Sequence, residues 1–305
     1  MKLDTLALPG RLFLERFLLP FLVMASMGAF LLARDIGADL DLVVMAATVA
    51  ALLVAMAAER LIPFRRDWNR SHQDGKTDLT SAAVLVAAVE PMLKYLAPVA
   101  AVALYALLDG SGVYHDLLGQ LPFAVQLIAV TLLIELGRYW SHRLHHRIPQ
   151  LWWLHAMHHS SERLYAFNNL RFHPLNHALN FIMGSFPLLL IGAPPEILLG
   201  YLALTQPVVM LQHANVASRH GLLNYLFSTN ELHRWHHSSK ASEANCNYGT
   251  ALIIWDQVFG TFRYRADGNM PEAVGLFSGS RQHYPAQASY LTQLKSMLSP
   301  RCCAA

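Results

Sequence analysis

The sequence predicts an all-α fold, a polytopic membrane helical bundle of about four spans plus a helical hairpin, with a His-rich helical cap on one side. Three observations predict it. The 305 residues are 54% hydrophobic and only 14% charged, with a mean hydropathy of +0.30, whereas charged residues make up about a quarter of an ordinary soluble domain. Long, nearly uncharged runs recur along the chain. Thirteen of the sixteen histidines fall between residues 142 and 237, nine of them in three repeats of the form H-x-x-H-H.

The first apolar run, 17–33, and the second, 42–58, each approach the about 20 residues that a helix needs to cross a bilayer. No small-residue cleavage site follows the first, and a second span comes at once, so it reads as an anchor rather than a signal peptide. A third run covers 79–108, interrupted by Glu90-Pro91 and Lys94 and long enough to tilt or bend at Pro91. A fourth covers 121–140. The shorter runs 179–193 and 196–212, separated by Gly-Ala-Pro-Pro-Glu, read as a hairpin. The chain thus divides into N-terminal transmembrane helices (1–120), a His-rich region including the hairpin (121–265) and a C-terminal tail (266–305).

Placement of Lys and Arg orients the spans. Lys2, Arg11 and Arg16 precede the first, and Arg60, Arg65, Arg66, Arg70 and Lys76 follow the second. The turn after the first span holds Asp35, Asp39 and Asp41 with only Arg34, and the loop after the third holds Asp109 and Asp116 with no base. The histidines then face the cytoplasm, in what reads as a bacterial inner membrane. The net charge of +3 is small, and no basic stripe with interleaved aromatics points to nucleic acid. Three cysteines, Cys246, Cys302 and Cys303, imply no disulfide framework. The last four residues formally fit a prenylation box, but neither middle position is aliphatic and no polybasic run precedes them.

On a helix, residues i, i+3 and i+4 share a face. His142 and His146, the trio His155, His158 and His159, and the trio His233, His236 and His237 each present imidazoles in one direction. Imidazoles gathered this closely demand partners and resist protonation, and bound metal answers both demands. Eight or more histidines exceed one structural zinc site, and no H-E-x-x-H supplies a zinc protease. The count suits two ions with four or five ligands each, and imidazole accepts iron, copper and zinc alike.

The segments "HRLHHRIPQLWWLHAMHHSSE", "LRFHPLNH", "QHAN" and "LHRWHHSSKASEANCNYGTALIIWDQVFGTF" resemble the fatty acid hydroxylase/sterol desaturase superfamily over about residues 120–265. "LWxxHxxHHSSE" is similar to its alkylglycerol-monooxygenase-like branch. The resemblance implies two iron ions that activate O2 to hydroxylate or desaturate a lipid C–H bond. Carried over position by position, it implies His142, His146, His155, His158, His159, His233, His236 and His237 as ligands. His213 matches an additional ligand position, and His173 stands in a recurrent R-x-H-P element. Ala217 and Ser218 stand where some relatives carry one more histidine, which leaves His173, Asn215 or water to complete the sphere.

His145 is expected to support or to lie at the surface, and His177 and His220 to be structural. Glu135, two turns before His142, reads as an acceptor for an imidazole N–H or as the self-contained partner of Arg138. Asp256 is assigned the same kind of accepting role. Gln212 and Asn215 read as polar neighbours of His213, and Tyr139, Trp140, Trp152 and Trp153 as an interfacial aromatic belt. The chain has no cytochrome b5, ferredoxin or Rossmann signature. A separate electron-donor protein, of reductase, ferredoxin or cytochrome b5 type, is therefore expected. A metal-dependent membrane hydrolase, or a metal-binding transporter or sensor, is the competing reading.

Overall fold

The computed structural model describes residues 8–108 and 115–299. Lys2, Asp109, Cys302 and Cys303, named above, lie outside them. Helix α1 (Leu8–Asp35) and α2 (Leu40–Leu61) are joined by a short turn. The Asp39 carboxylate closes that turn by accepting from the Leu42 amide at 3.0 Å, satisfying one of the orphan donors of a helix start. The third run forms α3 (Gly75–Val84), a π-helical turn over Leu85–Val89, and α4 (Glu90–Leu108). The expected bend at Pro91 is thus taken up by the π turn just before it, where a ring without an N–H would otherwise collide with the preceding turn.

Helix α5 (Phe123–Arg147) runs directly into α6 (Pro149–His159), with Pro149 starting the new helix. The hairpin comprises α7 (Pro174–Gly184), α8 (Phe186–Leu190) and α9 (Pro195–Gln212). Its first arm is broken at Ser185, because Pro187 cannot donate to the preceding turn. The corner uses Gly192 at φ +90°, a conformation that costs an L side chain dearly. Short helices follow: α10 (Asn230–His236), α11 (Ala241–Ala244), α12 (Ile254–Val258), α13 (Ser278–His283) and α14 (Tyr290–Lys295). Among the described residues there is no strand, only three isolated bridges.

Four helices are long and apolar enough to cross a membrane: Pro9–Asp35, Leu40–Leu61, Gly75–Leu104 and Phe123–Arg147. Their outer faces expose Phe17, Phe21, Met24, Met45, Leu53, Val99, Val102 and Ile128. An apolar belt of this extent is a lipid-facing pattern rather than that of a soluble bundle. Helix α9 is the central one. Its buried Ala203, Val208 and Leu211 share clusters with Leu19 and Phe30 of α1 and Ala51 and Ala55 of α2, and its buried Ile197 and Tyr201 pack with Leu127 and Val130 of α5.

Helices α5 and α7 cross so closely that a Cβ on Gly137 would lie 1.9 Å from the Met183 carbonyl oxygen. Small residues permit such approaches between membrane helices. Residues 266–299 fold back on the cap, where Leu276, Tyr284 and Tyr290 pack against Trp153, Ala156 and Met157 of α6.

Candidate metal centre

The C-terminal end of α5 extends beyond its apolar half and carries His142 and His146. The neighbouring α6, α10 and the end of α9 bring the others to the same place. Two groups result. His142, His146, His155, His159 and His236 form one, and His158, His213, His233 and His237 the other, with the ligand atoms inside each group within 4.8 Å of one another. The groups adjoin: the His159 and His237 rings stack with centroids 4.1 Å apart. No carboxylate joins either group among the described residues.

The hydrogen bonds on the outer nitrogens fix the inner ones. His142 Nδ1 lies 2.7 Å from the Tyr248 carbonyl oxygen, which can only accept, so Nδ1 carries the proton and Nε2 a bare lone pair. His155 Nδ1 lies 2.9 Å from Asn176 Oδ1. The orientation of that amide is set in turn by His145, whose Nδ1 donates to the Ser141 carbonyl at 2.7 Å and whose Nε2 accepts from Asn176 Nδ2 at 3.0 Å. His155 Nε2 is therefore bare as well. Yet the two Nε2 atoms face each other at 3.0 Å, lone pair against lone pair. Neither can donate, and only a cation between them makes the contact favourable.

The second group repeats the pattern. Asn168, held by the Arg163 carbonyl at 2.8 Å, presents Oδ1 to His213 Nδ1 at 2.8 Å. His213 Nε2 then faces His233 Nε2 at 3.0 Å, and His237 Nε2 lies 3.0 Å from the same atom. His158 Nδ1 donates to the Arg171 carbonyl and His236 Nδ1 to that of Cys246. Nitrogens about 2.0–2.1 Å from one ion, at roughly right angles, would stand about 3 Å apart. The observed separations match.

Burial tells the same story. Neither ring nitrogen of His146 has a hydrogen-bond partner, and the Nδ1 atoms of His159, His233 and His237 have none. Buried polar atoms without partners are rare enough that each needs a cause. Desolvation, with neighbouring imidazoles adding to it, holds His155, His158, His159, His233 and His237 well below the usual imidazole range. Burial likewise takes His213 and His236 down to about 3. Neutral imidazole is the form that binds metal, and the donor set fits.

Several expectations need correction. His173 joins neither group: its Nδ1 accepts from the Leu175 amide at 3.2 Å and caps α7. Glu135 touches no imidazole. Its Oε2 accepts from the Ala251 and Leu252 amides at 2.7 and 2.8 Å, and its Oε1 from the Tyr201 hydroxyl at 2.9 Å. It reaches Arg138 only through that hydroxyl. Asp256, which burial pushes up to about 6, accepts from the Tyr248 and Gly249 amides and from Thr261. Glu135 and Asp256 thus hold the 248–252 loop whose Tyr248 carbonyl orients His142.

Gln212 and Asn215 turn away from His213, to Ser228 and Thr250 and to Arg65 and Asn69. Asn168 takes the place expected of them. Trp152 is no belt residue: its ring lies 5.0 Å from that of His146 and stacks on Phe277 at 4.5 Å. Tyr139 and Trp153 are buried too, and Trp140 alone of the four is exposed. His220 is buried against Asn230, and His177 pairs with Glu90.

A cavity of about 160 Å³ opens on His142 and His155 of one group and His158 and His233 of the other, with Phe172, Val209 and Met210 among its walls. Liquid water occupies about 30 Å³ per molecule, so the space admits a short segment of a larger molecule.

A bundle with membrane-length helices that closes on nine converging, neutral imidazoles defines a membrane protein with a candidate polyhistidine metal centre. More particularly, the chain matches the family model described as fatty acid hydroxylase over residues 127–261. It is 39% identical over 211 residues to the ornithine lipid hydroxylase OlsE of Rhizobium tropici, covering 67% of this chain and 62% of that protein. It is 34% identical over 129 residues to human alkylglycerol monooxygenase, covering 42% of this chain and 28% of that protein. The zebrafish (Danio rerio) alkylglycerol monooxygenase is 32% identical over 134 residues, covering 44% and 30%. The chain therefore spans less than two thirds of these relatives' lengths. No solved structure gives a significant match.

Proposed function

We propose that the protein is an O2-dependent membrane lipid hydroxylase with a two-iron centre. One ion would be held by His142, His146, His155, His159 and His236, and the other by His158, His213, His233 and His237. The observation that carries the metal is the His142–His155 contact, two bare nitrogens 3.0 Å apart. Iron, when bound, supplies the oxidising power to activate O2 and attack an unactivated C–H bond.

The protein's own residues do the rest. Tyr248, Asn176, Asn168, Arg171 and Cys246 hold the outer imidazole nitrogens and so aim the inner ones. Trp152 and Phe277 cover the first group and keep water from it. The 160 Å³ cavity, lined by histidines of both groups, would hold the reacting segment of a lipid beside them. The named activities of the relatives, on ornithine lipid and on alkylglycerol, support a polar lipid as substrate. Electrons would come from a separate donor protein on the cytoplasmic side, the side that the basic loops favour for the cap. Iron content and O2 uptake of the purified protein with a lipid extract test the reading. Two irons per chain and lipid-dependent O2 consumption are expected. Zinc in place of iron, or hydrolysed lipid without O2 uptake, would turn it into a hydrolase.

A further inference from the structure

A second groove, of about 790 Å³, touches none of the nine histidines and has no part in the chemistry above. Four arginines line it: Arg16 of α1, Arg219, Arg234 of α10 and Arg265. Arg219 already pairs with Glu15 at 3.6 Å, and two further carboxylates line the groove, each hydrogen-bonded elsewhere. Glu231 accepts from the His220 amide and the Asn224 side chain, and Asp267 from Asn269.

Arg234 is the telling residue. Only 1% exposed, its guanidinium lies 4.0 Å over the Phe64 ring and donates through Nη2 to the Val216 and Ala214 carbonyls. Its Nε has no hydrogen-bond partner. The nearby Glu231 carboxylate acts on it through space but spends its hydrogen bonds on the His220 amide and Asn224, so the buried guanidinium keeps a free donor, and a buried charge is costly unless it is fully bonded.

The surroundings say what kind of acceptor would meet it. Phe17 and Pro20 of the first membrane-length helix form part of the wall. The adjacent turn, Gly221–Tyr225, leaves Leu222 85% exposed. Arginines beside a lipid-facing helix and a protruding apolar turn mark the headgroup level of a bilayer.

We propose that this groove binds an anionic phospholipid of the surrounding membrane, with its headgroup phosphate on the four arginines and its chains along Phe17 and Pro20. Arginine forks match phosphate oxygens in pairs. The bound headgroup adds counter-charge for Arg234 and so steadies α10, which carries His233 and His236 and ends at His237.

The test uses the full chain in detergent, with retained lipid read by native mass spectrometry. Phosphatidylglycerol, phosphatidylcholine, inorganic phosphate and poly-glutamate serve as probes. Arg16→Gln/Arg265→Gln removes two exposed charges that have no ion pair among the described residues, and so spares the packed Arg234. The expected result is retention of phosphatidylglycerol over phosphatidylcholine, weakened about tenfold in the double variant, the scale of a lost charge-assisted bond. Equal retention of the two lipids, or an unchanged double variant, overturns the proposal. Displacement by inorganic phosphate would reassign the groove to a free anion, and displacement by poly-glutamate to an acidic protein. Neither readout depends on metal or turnover, so failure here leaves the oxygenase reading standing.

Discussion

A single imidazole in this cap is inseparable from its neighbours. His159→Ala should strip most of the bound metal, because His159 Nε2 faces His236 Nε2 at 3.2 Å in a group with no spare donor. Exposed His283→Ala should strip none, and similar metal content in the two variants would refute the ligand set. Asn176→Ala leaves His155 without its outer acceptor, and a metal affinity about 10–100-fold weaker is expected in a metal titration. An unchanged affinity would show that Asn176 does not aim that ring. The metal-free protein should be acid-sensitive. Its unfolded chain takes up protons at histidine from about pH 6.5 downward, while folded His213 and His236 stay neutral to about 3. Their contribution to stability is complete above 6.5 and falls as the pH drops from 6.5 towards 3. Melting at pH 7.5 and 5 should therefore give the lower midpoint at pH 5. The histidines were readable because helical spacing is local. Asn168, Asn176 and the Tyr248 carbonyl were not, since they come from loops and a helix start where no period announces a partner.

At the scale of elements, the spans followed directly from hydropathy and Pro91 announced the interruption at Leu85–Val89, whereas the break at Ser185, beside Pro187, went unread within the 179–193 run. What hydropathy could not order was depth. Helix α9 looks like one more apolar run, yet it is the one the others surround, because Gly200 lets Phe30 of α1 and Leu127 of α5 approach it within about 3.3 Å of where a Cβ would stand. His173 shows the converse error. A histidine before Pro174 reads equally well as a ligand or as a cap, and the backbone decides for the cap. His173→Ala should accordingly cost about 1 kcal/mol of stability, the usual worth of a cap, with metal content intact. Loss of one metal equivalent in that variant would restore it to the ligands.

For the whole molecule, the reading requires every histidine cluster to lie on one side of the membrane. Cysteines placed at Ser71 and Ser239 should label from the same, cytoplasmic side in intact cells. Labelling from opposite sides would break the topology. The chain's own return path carries a last consequence. The first group draws on His142 and His236, and the carbonyls that aim it belong to Tyr248 and Cys246. A ribosome must therefore have made some hundred residues beyond the first ligand before that pocket can exist, and the hairpin must already have turned back to deliver His213. No half-made chain offers a finished cage to a passing ion. Metallation becomes a late event in biogenesis, and cells starved of iron should accumulate inserted but empty protein rather than stalled fragments.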